Sequence, residues 1–487
     1  MSSICPLYGR CGGCRYDGAD YAAELAQKEE KLKSLFTGGK AGGGPLPEDF
    51  FASPAFEGTI PSPKEEGYRN KMEFSFGNER KDGPLTLGLH QKGSFFNILP
   101  AGCCRIAPPD FRLIVSAVEA LFRELGLSFC HKKSHQGLLR HLVLRRSETD
   151  GSLLINLVTQ SGFAAQEAFV SCLKALPLEG RIAGILHTEN NSLSDAVVPE
   201  AVHVLCGEPM LKETVCGLDF QISPFSFFQT NTLAAEKLYE KVREYIAITP
   251  DSLVYDLYSG TGTIAQILAP VAGEVWGVEL VEEAVEAARK NAKANGLSNC
   301  HFLAGDVLKK LEELPPEPDY VILDPPRDGV NPKALGRLAG CGAKRIVYVS
   351  CKPSSLARDL PAFFWAGYRV EKMCFADLFP KTDNCEAVAL LSKLGAAKHH
   401  IDVTIDMDEL DLTSAESKAT YDEIREWVQE KYGFHVTNLN IAQVKRKLGF
   451  DIRANYNLPK SEDSRQPNCP EEKEKAIEEA LKHFQMI

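Results

Sequence analysis

The later part of the chain has a regular pattern in which short apolar runs alternate with longer amphipathic stretches. The apolar runs lie at residues 253–255, 275–278, 320–323 and 345–349. Between them are stretches such as residues 281–295, where apolar side chains recur every three or four positions. Strands that alternate with helices in this way are typical of an α/β fold with a doubly wound, Rossmann-like parallel sheet.

The preceding part of the chain has a different, mixed pattern. Residues 71–76, 141–145, 153–158 and 182–187 alternate like half-buried strands, and residues 111–125 carry a helical apolar stripe. These elements predict a separate α+β domain in the centre of the chain.

Both ends of the chain carry helical patterns outside these two regions. Residues 21–35 form an amphipathic stretch before a Gly/Pro-rich loop, and residues 421–431 and 471–483 form two more. We therefore predict four parts: an N-terminal cysteine-containing segment (1–40), a central α+β domain (41–222), the parallel α/β domain (223–394) and a small C-terminal accessory domain (395–487).

Composition excludes membrane and secreted classes of protein. The 487 residues are 44% hydrophobic and 25% charged, which is ordinary for a globular chain. No apolar run approaches the roughly 18 residues of a membrane span, and the first residues do not form a signal peptide. We expect a cytoplasmic monomer that has no membrane contact.

Charge is unevenly distributed along the chain, whose formal net charge is −11. Residues 60–146 contain 14 Lys and Arg against 8 Asp and Glu, a local net charge of +6. This stretch is either a solvated surface or a face that contacts nucleic-acid phosphates through residues such as Lys71, Arg140 and Arg145. The accessory segment is acidic, although Lys445, Arg446 and Lys447 are consecutive bases within it.

A glycine-rich loop after the first strand of the α/β domain predicts a cofactor site. The sequence from Asp256 to Ala265 carries Gly260 and Gly262, which let the backbone turn tightly and approach a ligand. The spacing would also suit a dinucleotide. However, acids occur at three successive strand ends, Asp256, Glu279 and Asp306, and this suits the cationic S-adenosylmethionine better than a pyrophosphate.

Two further strand ends carry the candidate chemistry. Asp324 begins Asp-Pro-Pro-Arg, and Cys351 follows the next strand, so both are expected at the cofactor cleft. A thiol in a cleft that binds S-adenosylmethionine suits one reaction in particular. Adding a thiolate to C6 of uracil makes C5 nucleophilic enough to accept a methyl group. The C5 proton must then leave, and Glu386, at the start of a later apolar strand, is the candidate base.

Cysteine spacing points to a metal centre near the N-terminus. Cys5, Cys11 and Cys14 lie within ten residues, in a chain of fifteen cysteines that shows no disulfide pattern. Clustered cysteines in a cytosolic protein are typical of zinc or iron–sulfur sites.

Together these motifs resemble the RNA uracil-C5 methyltransferases, which act on 23S ribosomal RNA or on the T-loop of transfer RNA. The resemblance covers residues 1–394 and is specific because many motifs occur jointly. The matching segments are Cys5-x5-Cys11-Gly-Gly-Cys14, Tyr21-Ala-Ala-Glu-Leu, Tyr68-Arg-Asn-Lys-Met, Phe227-Phe-Gln229-Thr-Asn231, Asp256-Leu-Tyr-Ser-Gly-Thr-Gly262, Asp324-Pro-Pro-Arg327, Ser350-Cys351-Lys-Pro353 and Leu378-Phe-Pro before Glu386.

The resemblance implies a role for each matching residue. It implies that Cys351 is the nucleophile and Glu386 the proton-abstracting base. The implied S-adenosylmethionine contacts are Gln229, Tyr258, Thr263, Glu279, Asp306 and Asp324. It also implies a [4Fe-4S] cluster on Cys5, Cys11, Cys14 and Cys104, with Cys103 as a possible substitute and zinc as the alternative metal.

Ribosomal RNA, specifically 23S, is the expected substrate, because the cysteine cluster accompanies the ribosomal branch more often. Transfer RNA is the alternative, and a non-catalytic RNA-binding protein is an alternative of another class. A cytosine-C5 methyltransferase would also use a thiol, but the Pro-Cys pair of such enzymes is missing here. The small β-barrel domain that precedes the cysteines in many family members is not found before Cys5, and residues 395–487 have no counterpart in the family core.

Overall fold

A computed structural model of the protein describes residues 4–38, 43–194, 197, 199–246, 249–393, 421–448 and 470–483. The chain divides into two compact units, Met1–Ala396 and Ala397–Ile487.

The first unit contains seventeen described strands arranged in two large sheets and one hairpin. In chain order they are β1 (Phe56–Ile60), β2 (Lys71–Gly77), β3 (Thr86–His90), β4 (Ile98–Pro100), β5 (Leu139–Arg146), β6 (Leu153–Thr159), β7 (Ile182–Glu189), β8 (Ala201–Gly207), β9 (Leu211–Val215), β10 (Leu218–Ile222), β11 (Leu253–Leu257), β12 (Glu274–Glu279), β13 (Cys300–Ala304), β14 (Tyr320–Leu323), β15 (Arg345–Ser350), β16 (Tyr368–Ala376) and β17 (Glu386–Lys393).

Nine described α-helices belong to the first unit and three to the second. They are α1 (Tyr21–Thr37), α2 (Pro109–Glu124), α3 (Gln166–Lys174), α4 (Thr232–Ile246), α5 (Thr263–Leu268), α6 (Glu282–Ala294), α7 (Val307–Lys310), α8 (Pro332–Ala339), α9 (Pro353–Trp365), α10 (Tyr421–Tyr432), α11 (Asn438–Lys447) and α12 (Glu471–His483).

The larger sheet has eight strands in the order β1-β16-β17-β15-β14-β11-β12-β13. The five strands β13, β12, β11, β14 and β15 are mutually parallel, whereas β17 runs antiparallel to both β15 and β16. The parallel strands are mostly buried because helices cover both faces, which explains their nearly continuous apolar sequences. The predicted doubly wound, Rossmann-like sheet is confirmed.

The N-terminal helix packs on this larger sheet. Asp20 caps α1 by accepting a bond from the Ala23 amide, and the helix packs against α9 and β1. Its buried Lys28 ammonium lies 2.6 Å from the Glu24 carboxylate and 2.9 Å from the Asp377 carboxylate. These paired charges attach α1 to the segment between β16 and β17.

The position of β1 differs from the predicted division of the chain. We predicted that residues 41–222 form one central domain, but β1 pairs in parallel with β16 of the larger sheet. The short apolar run of β1 follows a Gly/Pro-rich loop, and sequence order alone assigned it to the domain that follows. In space, this segment completes the edge of the α/β sheet.

The smaller sheet forms the central part of the unit and has the order β4-β3-β2-β5-β6-β7-β8. Helices α2 and α3 pack together, and the apolar side of α2, including Phe111, Val118 and Phe122, enters the core of this sheet. The four strands and the helix predicted here from sequence are β2, β5, β6, β7 and α2. The hairpin β9–β10 then leads into α4 of the α/β region.

The second unit, as far as it is described, consists of three helices around a small apolar core. Ile424 and Val428 on α10, Val444 on α11 and Ile477 on α12 are all buried in it. The predicted helices at 421–431 and 471–483 correspond to α10 and α12. No helix in the described ranges is both long and apolar enough to cross a bilayer.

Candidate active site

The carboxyl ends of the five parallel strands carry the chemistry-bearing residues predicted from sequence. Asp256 lies near the end of β11 and Glu279 ends β12, while Asp306 and Asp324 come just after β13 and β14. Cys351 follows β15 directly. Because the strands are parallel, these ends lie along one edge of the sheet, where open α/β sheets bind their ligands.

The glycine loop between β11 and α5 adopts a tight left-handed path. Gly260 and Gly262 have φ of 54° and 71°, and Tyr258 has φ of 66°. A Cβ atom added to Gly262 would lie 2.4 Å from the Phe302 ring and 2.9 Å from the Ala288 side chain. Glycine is therefore required at position 262, and Thr263 can begin α5 immediately after it.

Asp256 presents a buried carboxylate oxygen that has no hydrogen-bond partner. Its Oδ2 accepts a 2.9 Å bond from the Ala265 amide, but its Oδ1 has none. Burial, followed by the charges of Asp324 and Glu279, raises the pKa of Asp256 to about 7. A cationic ligand would satisfy this oxygen and favour the ionised form. The sulfonium and ammonium groups of S-adenosylmethionine supply such charges, so the residues present fit this cofactor.

Glu279 and Asp306 are both held by backbone amides next to the loop. Glu279 accepts bonds from the Gly260 amide at 3.1 Å and the Val281 amide at 3.0 Å, one on each oxygen. Each carboxylate oxygen retains a second lone pair for a ligand hydroxyl. Asp306 is exposed and caps α7 through the Leu308 amide at 3.0 Å.

Strand register places Cys351 opposite Glu386. Ser350 of β15 pairs with Ala387 of β17, so the next residue after β15 faces the first residue of β17. Burial and then the charges of Glu386 and Asp324 raise the pKa of the Cys351 thiol to about 11, while Arg327 opposes this shift. The thiol is therefore protonated in the ligand-free protein at neutral pH.

Glu386 has an environment suited to a proton acceptor. Its side chain is 3% exposed, and burial followed by the Asp324 charge raises its pKa to about 8, again opposed by Arg327. Burial also raises the pKa of Asp324 to about 7. A thiol and two carboxyl groups thus influence one another in a site with little water, as is common where protons are transferred.

The loop that carries Gln229 is fixed by residues of the smaller sheet. The Asn70 side-chain amide donates to the Gln229 carbonyl at 3.1 Å and to the Thr232 hydroxyl at 2.6 Å. The Arg145 guanidinium donates to the Pro224 and Ser226 carbonyls of the same loop. Gln229 itself is half-buried, so its side chain can still reach a ligand.

A second anchor of this loop is the buried carboxylate of Glu213 on β9. It accepts bonds from the Thr232 hydroxyl at 3.1 Å, the Thr149 amide at 3.1 Å and the Glu148 amide at 2.9 Å. Sequence reasoning missed Asn70, Arg145 and Glu213 as supports of the site. Asn70 had a signal, since it lies in the Tyr68-Arg-Asn-Lys-Met motif, but Glu213 had none.

The N-terminal cysteines line one apolar cavity away from this edge. Its walls include Cys5, Cys11, Cys14 and Cys104, but not Cys103. The other residues that line it are Leu7, Tyr8, Asp17, Leu89, Leu99, Ala101 and Arg105. Burial is the main cause that raises the pKa of Cys14 to about 12 and of Cys104 to about 11. Four thiols around one cavity fit a metal centre, whose positive charge would favour the thiolates.

The spread of these four sulfurs bears on the kind of centre. Among the described residues, three or more ligand atoms of His, Cys, Asp or Glu lie within 4.8 Å of one another only in a group outside this cavity. No three of the four sulfurs are therefore that close together. A tetrahedral zinc site with Zn–S bonds of about 2.3 Å needs sulfurs about 3.8 Å apart. The spacing of the four sulfurs therefore does not match that of a tetrahedral zinc site.

Two of the three basic residues named for RNA contact, Arg140 and Arg145, are buried and donate to backbone carbonyls, which does not fit a role in phosphate contact. Arg140 is 7% exposed and donates to the Asn190 and Ser192 carbonyls, while Arg145 is 3% exposed and supports the Gln229 loop. Lys71 is half-buried, and burial and the neighbouring Arg145 charge lower its pKa to about 8. Net charge along a sequence does not distinguish buried from exposed cations.

An exposed group of aromatic and basic side chains lies elsewhere in the same stretch. Phe95 and Phe96, between β3 and β4, are 61% and 45% exposed. The Lys132 ammonium lies 4.1 Å from the Phe95 ring centre, and that of Lys133 lies 5.2 Å from the Phe96 ring centre. We call these four residues the aromatic–lysine patch. The basic run that begins at Lys445 in the second unit offers less unpaired, exposed charge than its sequence suggests. Lys445 is buried and Lys447 pairs with Glu474.

Comparison with known proteins agrees with this architecture. Residues 215–394 match the family described as tRNA (uracil-5-)-methyltransferase. An uncharacterized RNA methyltransferase of Clostridium tetani is 44% identical over 394 residues, covering 81% of this chain and 84% of the relative. One from Chlorobaculum tepidum is 36% identical over 413 residues, covering 81% and 83%.

A solved structure extends the similarity to the fold. The Pyrococcus abyssi tRNA (uracil-54, C5)-methyltransferase, solved in complex with S-adenosyl-L-homocysteine, superposes with a TM-score of 0.62 at 28% identity. The match covers 79% of this chain and 86% of that protein.

Proposed function

The chain belongs to the RNA uracil-C5 methyltransferase family and is an S-adenosylmethionine-dependent RNA methyltransferase, and we propose that it methylates uracil C5 in 23S ribosomal RNA through a covalent adduct on Cys351. The main support for this mechanism is the β15–β17 register, which sets Cys351 opposite Glu386 at the carboxyl-end edge of the parallel strands.

The mechanism assigns one task to each side chain. The Cys351 thiol loses its proton to water, its sulfur adds to C6 of the uracil, and this addition makes C5 nucleophilic. Bound S-adenosylmethionine supplies the methyl group that C5 gains, and Gln229, Tyr258, Thr263, Glu279, Asp306 and Asp324 are the residues that would hold it. Glu386 then removes the C5 proton, the C5–C6 double bond re-forms, and Cys351 leaves as the thiolate.

Substitution of the nucleophile and of the base separates these tasks. Cys351→Ala should abolish methylation but retain binding of S-adenosylhomocysteine, and Cys341→Ala, which changes a half-buried thiol on the segment before β15, is the matched control. Glu386→Gln should accumulate a protein–RNA adduct seen as a shifted band on a denaturing gel. Activity of Cys351→Ala within tenfold of wild type would contradict the covalent mechanism.

Transfer RNA is the second candidate substrate. The structural relative from Pyrococcus abyssi acts on uracil 54 of tRNA, whereas the cysteine set favours the ribosomal branch. We infer ribosomal RNA and propose to test it by offering the purified enzyme a 23S rRNA transcript and a tRNA transcript in equal amounts. Preferential 5-methyluridine formation in tRNA would overturn the ribosomal assignment.

We also propose that Cys5, Cys11, Cys14 and Cys104 hold a [4Fe-4S] cluster. Their shared cavity and the wide spread of their sulfurs support this proposal over zinc. Protein purified without oxygen should be brown and contain about four iron and four sulfide per chain. Colourless protein with one zinc per chain would support the alternative, and Cys103→Ser should leave the metal content unchanged.

For RNA contact, we propose the aromatic–lysine patch in place of the buried cations. Bases stack on exposed aromatic rings, and lysines contact phosphates. Phe95→Ala with Phe96→Ala should weaken RNA binding, whereas Trp365→Ala, which removes a 91% exposed aromatic residue on α9, should not. Lys133→Gln should lower the slope of log affinity against log salt by about 0.7, and the exposed Lys290→Gln is its control. Equal effects of patch and control variants would refute this surface.

The oligomeric state, the location and the role of the C-terminal segment are also part of this proposal. We propose that the protein is a cytoplasmic monomer and that residues 395–487 form an accessory domain outside the catalytic unit. Deleting that segment should leave methylation of the RNA substrate largely intact, and loss of RNA binding on deletion would contradict this view.

A further inference from the structure

Two histidines and a glutamate meet at the outer edge of the smaller sheet. Strand β8 is the edge strand and pairs antiparallel with β7, with His187 directly opposite His203. Glu189 lies two residues after His187 and therefore on the same face of the sheet. One nitrogen of each histidine and one carboxylate oxygen of Glu189 all lie within 4.8 Å of one another.

The contacts of the Thr159 hydroxyl favour the His187 tautomer that is protonated on Nε2. The Thr159 hydroxyl donates its single hydrogen to the Gln160 carbonyl at 2.5 Å and lies 2.8 Å from the His187 Nε2. Because that hydrogen is already committed, the hydroxyl accepts the bond from Nε2–H. The Nδ1 atom of His187 therefore carries a lone pair.

That lone pair is buried and has no partner in the protein. His187 is 1% exposed, and its Nδ1 makes no hydrogen bond. A buried acceptor without a donor is unfavourable unless a ligand satisfies it.

The other two residues leave a path from solvent. The side chains of His203 and Glu189 are 48% and 27% exposed, and the Glu189 Oε1 lies 3.5 Å from the His203 Nε2. The second carboxylate oxygen accepts a 2.7 Å bond from the Ser161 hydroxyl. Supporting bonds on Glu189 and on His187 are the kind that orient the ligands of a metal ion.

We propose that His187, Glu189 and His203 bind a divalent transition-metal cation, of which Zn²⁺ fits best. Zn²⁺ accepts imidazole nitrogen and carboxylate oxygen in a tetrahedral set, whereas Mg²⁺ and Ca²⁺ prefer oxygen ligands alone. Water completes the fourth position on the exposed side. The cation links the edge strand β8 to β7, and its site is separate from both the catalytic edge and the cysteine cavity.

The test uses the full-length protein purified without oxygen and without added zinc. Zn²⁺ is titrated by calorimetry into wild type, His203→Ala and Glu189→Gln, and His301→Gln on β13 serves as a histidine control in the other sheet. Wild type and His301→Gln should each bind one equivalent of Zn²⁺ at this site. The two site variants should bind this equivalent at least tenfold more weakly. Equal binding by wild type and both site variants would overturn the proposal.

Two further measurements distinguish this site from zinc binding at the cysteines and from misfolding of a variant. Co²⁺ bound at this site should show no thiolate-to-metal charge-transfer absorption, and such a band would assign the binding to cysteines instead. Thermal unfolding without metal shows whether each variant folds. Zn²⁺ should then raise the melting temperature of wild type but not of His203→Ala, and an equal rise in both would also refute the site. None of these readouts depends on methylation.

Discussion

Relative to wild type, the Glu386→Gln variant should become more stable as the pH rises, although it should lose turnover. In the folded protein the pKa of Glu386 is about 8, against an ordinary value of 4.5, because the side chain is buried and lies near Asp324. The unfolded chain binds the proton less tightly. The contribution of this proton is therefore fully present below pH 4.5 and is lost as pH rises through 8.

The expected size follows from these two values. Proton binding to Glu386 is linked to folding, and integrating this dependence from pH 6 to pH 8 gives the change in stability. Glu386 alone lowers the free energy of unfolding by about 2 kcal/mol over this range. Glutamine has no proton to lose, so Glu386→Gln should lack this part of the pH dependence. In the proposed mechanism an ionisable base is needed at this position, so wild type would keep this loss of stability for the sake of activity.

Urea unfolding of wild type and Glu386→Gln at pH 6, 7 and 8 measures the difference directly. The stability of the variant relative to wild type should increase by about 2 kcal/mol over this range, with unchanged m-values. Glu30→Gln, which changes an exposed glutamate on α1, is the matched control and should show no such trend. A constant difference between wild type and Glu386→Gln at all three pH values would refute the buried, proton-binding environment of Glu386.

Two further predictions concern the same edge of the sheet. In quenched single-turnover reactions, decay of the covalent RNA adduct should quicken about tenfold between pH 7 and pH 9. The reason is that the ionised fraction of Glu386 rises from about 9% to about 91% over this range. A flat pH profile would assign the base to another group. Gly262→Ala should weaken S-adenosylhomocysteine binding and lower stability by about 1–3 kcal/mol, because its Cβ would overlap Phe302. Gly296→Ala has the same φ of 71° with open space around it, so it isolates backbone strain, and equal losses in both variants would contradict the clash.

The α/β sheet was predictable from sequence because its signals are local. Each parallel strand is a short apolar run, and the chemistry-bearing residue follows within one or two positions, as at Glu279, Asp306 and Cys351. The topology rule for such sheets then places all of these ends together. Only the facing of Cys351 by Glu386 needed the observed antiparallel register of β17.

The remaining features depend on contacts between distant parts of the chain. The pairing of β1 with β16 joins residues more than 300 positions apart, and no local pattern encodes it. Burial of Arg140 and Arg145 is likewise invisible to a count of charges. Of the proposed metal ligands, the cysteines were found by their spacing, whereas His187 and His203 come together only through the β7–β8 register.

The support of the Gln229 loop by the smaller sheet leads to a last prediction. Arg145 donates to two carbonyls of residues 224–226, and Arg140 is a similarly buried arginine that donates to carbonyls of residues 190–194 instead. Hydrogen bonds from charged groups contribute about 1.5–3 kcal/mol each, so losing the two or more bonds of either arginine on replacement with methionine should lower stability by about 3–6 kcal/mol. Only Arg145→Met releases the loop beside the cofactor edge, so only this variant should raise the KM for S-adenosylmethionine in steady-state methylation. If Arg140→Met raised that KM equally, the effect would reflect general destabilisation, and the smaller sheet would have no specific part in positioning Gln229.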